Sequence, residues 1–379
     1  MTILTPESEA DLAAIVASAD TPFHVQGGGT RPIGGPTNGT PLSTAGLSGI
    51  ELYEPGSLTL VVRAGTPVAE VEAALAAENQ RLAFEPMDHR GLLGTKGEPT
   101  IGGVIGANVS GPRRIQAGAA RDFLLGVRFV DGSGQVIRNG GRVMKNVTGY
   151  DLVKLLAGSY GTLGILTEVA LKVLPDTVTT ATLSILGLDD VSAVAALSRA
   201  LGSPFEVTGA VHLPQAQGAA RTLIRIEGSE ASVAYRAAEL QKLLAGFGEV
   251  LFDHDTAANR ALWQDLRDVT VFHDRPGDVW RLSVKPSDAP GIVASVPGAE
   301  ALYDWGGGLI WLLVPQGTAP AVIRQPVDDA GGHATLIRGN RNAGVFHPLP
   351  APVAALQDGL RLKFDPNGLF NPGLMGQTA

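Results

Sequence analysis

With 379 residues, 44% of them hydrophobic, the chain has enough apolar material for two domains. Its net charge of −8 argues against a nucleic-acid partner, and the absence of cysteine excludes disulfides, thiolate metal sites, iron–sulfur ligation and a cysteinyl bond to a cofactor. No signal peptide and no apolar run of roughly 18 residues is visible, so we expect a cytoplasmic protein that does not insert into a membrane.

The first predicted elements surround a glycine-rich loop. Thr5-Pro6-Glu7 is typical of a helix start, and residues 23–26 predict a short strand that runs into residues 27–35. Three prolines prevent a helix from following these glycines, which argues against both a Rossmann fingerprint and a P-loop. Successive N–H groups of such a loop can hold a phosphate. A flexible surface loop is the alternative.

A second glycine-rich stretch covers residues 99–111. A strand at 58–63, a helix from residue 68 and a strand at 82–84 precede it. We expect no helix in this stretch, because it has too many glycines. Its apolar residues indicate burial, and its bare peptide groups then need hydrogen-bond partners. Either a bound ligand or tight packing against a neighbouring strand meets that need.

A hairpin and a third glycine-rich turn complete the first half. Residues 127–130 and 135–138 flank Asp131-Gly132-Ser133-Gly134, which indicates a hairpin. A short helix is expected at 152–156. Residues 158–164 then form a turn that leads into a strand ending near residue 175.

From residue 177 the pattern changes to strand–helix–strand–strand–helix–strand. The strands are expected at 178–185, 207–213, 222–227 and 249–252, and further strands at 279–284 and 309–314 extend the antiparallel sheet. Arginine forks suit a carboxylate ligand, although an ordinary surface also supplies scattered polar groups. The candidates for such a contact are His273, Arg275, Arg281, Arg338, Arg341 and His347.

Five segments in this order resemble the FAD-binding domain of the vanillyl-alcohol oxidase / p-cresol methylhydroxylase (PCMH) superfamily. They are residues 26–35, 58–65, 99–111, 118–122 and 149–165, and the ending at residues 365–373 is similar as well. The run Lys145-Asn146-Val147-Thr148-Gly149-Tyr150-Asp151-Leu152 narrows the resemblance to the subgroup of D-lactate dehydrogenases and the flavin subunits of bacterial glycolate oxidase.

The resemblance implies an α+β fold with three parts. A PCMH-type two-lobed FAD-binding domain is expected over residues 1–176. A smaller cap domain, with an antiparallel sheet and helices in the split ferredoxin-like pattern, is expected over 177–345. Residues 346–379 would form a C-terminal helix and a tail that returns to the FAD domain.

The resemblance also assigns cofactor contacts residue by residue. The expected FAD-binding residues are Gly27, Gly28, Gly29, Thr30, Arg31, Pro86, Asp88, Thr100, Gly102, Gly103, Gly106, Ser110, Gly161, Gly164, Ile165 and Asn371. The first five would hold the pyrophosphate, Pro86 and Asp88 would lie over the flavin, and Gly161, Gly164 and Ile165 would meet the adenine. Thr30 stands where many relatives carry a covalently linked histidine, so non-covalent FAD is predicted.

The expected function follows from the same subgroup. Its D-lactate dehydrogenase-like members carry a His-x-His metal motif that is missing here, so no metal is expected, and the sequence assigns no catalytic residue. The implied activity is oxidation of a small 2-hydroxy acid, such as glycolate to glyoxylate. A second flavoprotein subunit and an iron–sulfur subunit are the implied partners, and they could hold the chain at the inner membrane. A stand-alone D-2-hydroxyacid dehydrogenase and a non-catalytic FAD-binding scaffold remain alternatives.

Overall fold

Two sheets and a small parallel strand pair position the candidate site. The structure, a computed structural model, describes residues 3–143, 149–215 and 218–376. Residues 145–148 of the subgroup motif lie outside the described part.

The first half alternates short helices and strands. Its helices are α1 (Glu9–Ala17), α2 (Val68–Ala77), α3 (Arg90–Leu93), α4 (Ile101–Gly106), α5 (Arg114–Ala117), α6 (Ala120–Phe123) and α7 (Leu152–Leu156). Its strands are β1 (Phe23–Gln26), β2 (Thr40–Ser43), β3 (Ile50–Glu54), β4 (Thr59–Arg63), β5 (Gln80–Arg81), β6 (Leu124–Val130), β7 (Val136–Gly140), β8 (Ile165–Lys172) and β9 (Leu174–Pro175).

These strands form two lobes. Strands β1 and β2 pair in parallel, while an antiparallel sheet of order β3-β4-β8-β6-β7 carries the second lobe. The small lobe packs Leu12, Val16 and Leu42 with Phe370 of the C-terminal tail. The tail therefore contributes to the core of the first lobe, because Phe370 also bridges to Phe23 of β1.

The second half is one eight-stranded antiparallel sheet with helices. Its strands are β10 (Thr179–Leu186), β11 (Gly209–Leu213), β12 (Arg221–Gly228), β13 (Val250–Asp253), β14 (Asp278–Ser283), β15 (Glu300–Asp304), β16 (Leu309–Val314) and β17 (His333–Arg338). Its helices are α8 (Asp190–Leu201), α9 (Glu230–Leu244), α10 (Thr256–Arg267), α11 (Ala289–Ser295) and α12 (Pro320–Asp329), and α13 (Ala351–Phe364) follows the sheet.

The eight-stranded sheet contains the same unit twice. Its order is β13-β10-β12-β11-β15-β16-β14-β17. Strands β10 to β13 with α8 and α9 form one strand–helix–strand–strand–helix–strand unit, and β14 to β17 with α11 and α12 form another. The second strands of the two units meet at the centre, where His212 lies opposite Tyr303. The structure confirms the first unit, while the sequence analysis recognised only two strands of the second.

The expectation that residues 99–111 hold no helix is wrong. Residues Ile101–Gly106 form α4, and Thr100 caps it by accepting a hydrogen bond from the Gly103 N–H at 3.3 Å. A Cβ on Gly102 would lie 2.7 Å from the Cβ of Ala64 on the neighbouring chain segment. Close packing therefore requires a small residue there, and tertiary contacts override the low helix propensity of glycine.

Two smaller expectations are also corrected. Residues 82–84 form no strand; the strand β5 ends at Arg81, because the chain turns there towards Glu85, whose φ is +48°. Helix α1 begins after Ser8, which accepts a hydrogen bond from the Asp11 N–H at 3.1 Å, so Thr5 does not cap it. The predicted hairpin, the helix at 152–156 and the C-terminal helix are confirmed.

Candidate functional site

A long cleft runs between the small lobe, α4 and the turn before β8. It encloses about 1180 Å³, part of which is open to solvent. Three glycine-rich segments line it. Side chains from the segment before α3 and from the C-terminal region complete its wall. Residues along the cleft include His24, Gly27, Gly28, Gly29, Thr30, Arg31, Met87, His89, Thr100, Gly102, Gly103, Gly106, Tyr160, Gly161, Gly164, Ile165 and Arg341.

The first loop lies backbone-to-backbone against the segment that precedes α4. A Cβ on Gly28 would collide with the carbonyl group of Glu98, and a Cβ on Gly27 would collide with the hydroxyl of Thr100. These two glycines are therefore required for the packing of the loop itself. The loop is fixed further by Ser43, whose hydroxyl donates to the Gly27 carbonyl at 3.1 Å.

Two glycines of α4 face the cleft. A Cβ on Gly106 would meet no atom within 4 Å, and one on Gly103 would meet only the Thr100 hydroxyl at 3.2 Å and Arg31 at 3.9 Å. Gly102, by contrast, faces Ala64 at the base of the helix. The helix thus presents a side free of Cβ atoms to the cleft, where a ligand can approach the backbone closely.

Arg31 and Arg341 are the two arginines among the described residues that line the cleft, and Arg31 lies beside α4. Its guanidinium donates to the Gly103 carbonyl and forms no ion pair within the described part of the chain. Burial lowers the pKa of Arg31, while Tyr160 acts in the opposite direction. Since Arg31 is half-buried and has no counter-ion among the described residues, this position suits an anionic ligand.

His89 is a neutral group beside Arg31. Its Nδ1 lies 3.2 Å from the Met87 carbonyl oxygen, and only 7% of the residue is exposed. Burial, followed by the charge of Arg31, lowers the pKa of His89 from 6.5 to about 3. A neutral ring that donates from Nδ1 to this carbonyl leaves Nε2 as a hydrogen-bond acceptor.

Twelve of the sixteen expected cofactor residues line the cleft, and four do not. The four are Pro86, Asp88, Ser110 and Asn371. Asp88 pairs with Arg90 at 2.7 Å, and the Ser110 hydroxyl accepts from the Ala120 N–H at 2.9 Å. Asn371 instead fixes the tail, because it accepts from the Val25 N–H at 2.8 Å and donates to the Tyr160 carbonyl at 3.0 Å.

The cleft residues missed by sequence reasoning lie next to the recognised motifs. Met87 and His89 alternate with Pro86 and Asp88, and Tyr160 lies inside the third glycine-rich turn. The motifs in these segments were recognised. The sequence does not indicate, however, which of two adjacent side chains faces the ligand. Arg341 comes from a distant segment and had no such signal.

Five of the six side chains considered for a carboxylate ligand have protein partners instead. Arg275 pairs with Glu300 at 2.8 Å, and His347 contacts Asp328 at 2.6 Å. Arg338, Arg341 and His273 bond backbone carbonyl groups. Arg281 alone among the six has neither an ion pair nor a hydrogen bond to another described residue; it contacts the ring of Trp305, with 5.2 Å from its Cζ to the ring centroid.

The cleft fits a dinucleotide with a negatively charged centre. Its elongated wall of glycine backbone, the exposed side of α4 and the unpaired Arg31 match a pyrophosphate and a flat ring. A family model described as "FAD binding domain" matches residues 2–140. The glycolate oxidase subunit GlcE of Escherichia coli (strain K12) is 39% identical over 364 residues, covering 94% of this chain and 93% of that protein.

The chain belongs to the GlcE family. FAD is its cofactor, as the domain match and the FAD-linked relatives indicate. More distant relatives of this GlcE-family chain include the glycolate oxidase subunit GlcD of Bacillus subtilis (strain 168), 33% identical over 48% of this chain and 38% of that one. The D-lactate dehydrogenase of Archaeoglobus fulgidus is 31% identical over 46% of this chain and 38% of that one.

Solved structures confirm the predicted fold class for this GlcE-family chain. An alkyldihydroxyacetonephosphate synthase superposes with a TM-score of 0.71 at 17% identity, covering 98% of this chain and 75% of that one. Within the described residues, no helix combines the length and apolar character needed to cross a membrane. The His, Asp and Glu side chains of that part form no group of three or more that could hold a metal ion.

Proposed function

We propose that this chain is the FAD-binding subunit of a complex that oxidises glycolate, or a closely similar 2-hydroxy acid, to the corresponding 2-oxo acid. The observation that carries the proposal is the 39% identity to a glycolate oxidase subunit over almost the whole of both chains. The cleft supports it, because its glycine-lined wall and Arg31 suit the cofactor that such an oxidation requires. FAD supplies a two-electron acceptor for the α-carbon of the substrate.

The partners belong to the proposal as well. The similar Escherichia coli protein is named as a subunit, and the sequence here has no cysteine with which to ligate an iron–sulfur cluster. We therefore infer a second flavoprotein subunit and an iron–sulfur subunit that carries electrons onward. Any attachment to the inner membrane would come through these partners.

The residues of the cleft have separate tasks in this proposal. Twelve of the sixteen assigned residues lie along the cleft and would contact FAD, with Arg31 neutralising the pyrophosphate. His89, neutral and with Nε2 free to accept, would hydrogen-bond a donor on the bound ligands. The proposed division into a FAD domain (1–176), a cap (177–345) and a returning tail (346–379) agrees with a sheet that spans residues 179–338.

The test separates cofactor binding from folding. Gly103→Val places a branched side chain in the cleft beside the Thr100 hydroxyl and Arg31, whereas Gly102→Ala places a methyl group against Ala64. We expect Gly103→Val to fold and to lose FAD, and Gly102→Ala to lose stability. The complex purified through a tag on this chain should lose glycolate-dependent dye reduction when Gly103→Val is present. Full turnover without FAD in this chain would instead support a scaffold role.

The mode of attachment is tested on the same protein. Thr30 lies on the cleft where a linking histidine would stand, so FAD should be released without bond cleavage. Acid precipitation of the purified chain should leave the flavin in the supernatant. Flavin that remains in the pellet would contradict non-covalent binding.

A further inference from the structure

Two arginines, one from each half of the chain, share the ring of Trp305. The guanidinium carbon of Arg114 lies 4.6 Å from the centroid of this ring, and that of Arg281 lies 5.2 Å from it. Neither guanidinium forms an ion pair or a hydrogen bond with another described residue. Two guanidiniums that contact one ring and have no acceptor among the described residues make a candidate site for an anion.

The conformation of Trp305 is unusual and fixed. Its φ is +52°, and Gly306 and Gly307 after it also have positive φ values. The strain is offset by contacts, because the Trp305 N–H donates to the Asp304 carboxylate at 2.6 Å and the indole N–H donates to the Gly111 carbonyl at 3.1 Å. A left-handed tryptophan that bridges two parts of the chain is typical of a functional position.

The charges near Arg281 connect it to the cleft. Burial lowers the pKa of Arg281, Tyr160 and Asp304 raise it, and Arg114 lowers it further. Arg281 in turn contributes to the lowered pKa of His89. The geometric link is the indole N–H bond of Trp305 to Gly111, which ends the glycine-rich stretch whose helix α4 lines the cleft.

The one carboxyl group that could neutralise Arg281 within the described residues does not pair with it. Asp304 has a pKa raised to about 7 by burial, and its hydrogen bond to the Trp305 N–H only partly offsets this. No ion pair joins Asp304 to Arg281 or Arg114. Among the described residues, the two guanidiniums therefore have no carboxylate partner, and a ligand anion could supply one.

We propose that Arg281 and Arg114, held by the Trp305 ring, bind the carboxylate of the 2-hydroxy acid. Trp305 is a positioning residue in this site. The inference rests on the proposed function, since it assumes a small carboxylate substrate beside FAD. A guanidinium fork can donate hydrogen bonds to both oxygens of a carboxylate, which a neutral alcohol does not have.

The experiment uses the full chain with FAD bound and titrates it with oxalate, an unreactive carboxylate. The readout is the change in the visible absorbance of the flavin, and ethylene glycol is the neutral control. We expect a saturable change with oxalate and none with ethylene glycol. Arg281→Met should weaken oxalate binding by about 100-fold, Arg281→Lys less, and Trp305→Leu by about 10-fold. FAD content should stay unchanged in all of them.

Arg275→Met is the matched control, because Arg275 lies in the same half but pairs with Glu300. It should bind oxalate as the unaltered chain does. In the complex, Arg281→Met should raise the KM for glycolate far more than it lowers kcat. These readouts distinguish a carboxylate contact from a purely structural role.

Three outcomes would overturn the inference. Oxalate could leave the flavin spectrum of the unaltered chain unchanged, or Arg281→Met could bind oxalate normally. Alternatively, Arg281→Met could lower FAD content with oxalate affinity unchanged, which would make the flavin the anion held by Arg281. None of these results affects the proposed function, which depends on the Gly103→Val result in the complex.

Discussion

Two buried and two half-buried arginines of this protein have opposite character. Where the two halves meet, Arg225 pairs with Glu85 at 2.9 Å and Arg113 pairs with Glu227 at 2.6 Å. Along the cleft and beside Trp305, Arg31 and Arg281 have no carboxylate partner among the described residues. Arg225 and Arg113 are neutralised where protein packs on protein, whereas Arg31 and Arg281 have no carboxylate partner in or near the cleft.

The carboxylates show the same contrast. Burial alone would raise the pKa of Glu227, yet Arg225 and Arg113 outweigh it and hold the pKa well below its usual range. Burial raises the pKa of Asp304 to about 7, because the Trp305 N–H and the charges of Arg225 and Arg281 offset the effect of burial only in part. The paired network therefore stabilises the junction of the halves, and the unpaired groups are available for binding.

The largest predicted effect concerns removal of one arginine from each region. Arg225→Met leaves Glu85 and Glu227 short of a partner in a buried site, and should lower the free energy of unfolding by about 3–5 kcal/mol. Arg281→Met removes an unpaired cation and should cause no loss, or a gain. Urea unfolding of the flavin-free chain measures both. Equal losses would mean that Arg281 has a structural partner.

The next effect concerns how stability depends on pH. Asp304 and His89 should change the free energy of unfolding with pH in opposite directions. The folded chain retains the Asp304 proton between pH 3.8 and about 7, where the unfolded chain has released it, so this group makes stability fall as pH rises. His89, with its pKa lowered from 6.5 to about 3, makes stability fall as pH falls. Each contributes at most about 1.4 kcal/mol per pH unit.

Single variants separate these two contributions. Relative to the unaltered flavin-free chain, Asp304→Asn should become more stable as pH rises from 5 to 7. His89→Asn should show the reverse trend over the same range. Urea midpoints at several pH values measure the difference, and parallel curves for both variants would contradict the assigned pKa directions.

The smallest effect tests the link between the two halves at Trp305. Trp305→Phe retains a ring for the two guanidiniums but removes the indole N–H that donates to Gly111. The loss in the free energy of unfolding should be about 1 kcal/mol, the value of one hydrogen bond. A loss as large as that of Arg225→Met would show that Trp305 mainly stabilises the fold.

The fold was predictable wherever the hydrophobic pattern and the helix-capping residues of a segment indicated the same element. The first strand–helix–strand–strand–helix–strand unit has clear alternation, and Asp189 caps its first helix by accepting from the Ser192 N–H at 2.7 Å. The second unit was missed because its helices contain proline and glycine, which have low helix propensity. Helix α11 contains Pro290 and Gly291, and α12 contains Pro326. The surrounding sheet overrides these weak propensities.

The sequence by itself determined the order of the glycine-rich segments, and the resemblance of these segments to the PCMH-type FAD-binding domain predicted the cofactor. Only the tertiary structure decided that α4 is a helix and that Gly102 serves packing while Gly103 faces the cleft. It also singled out Arg281 from six candidates. The other five are satisfied by partners that are often remote in the chain, such as Gly34 for Arg341, and folding alone brings these partners together.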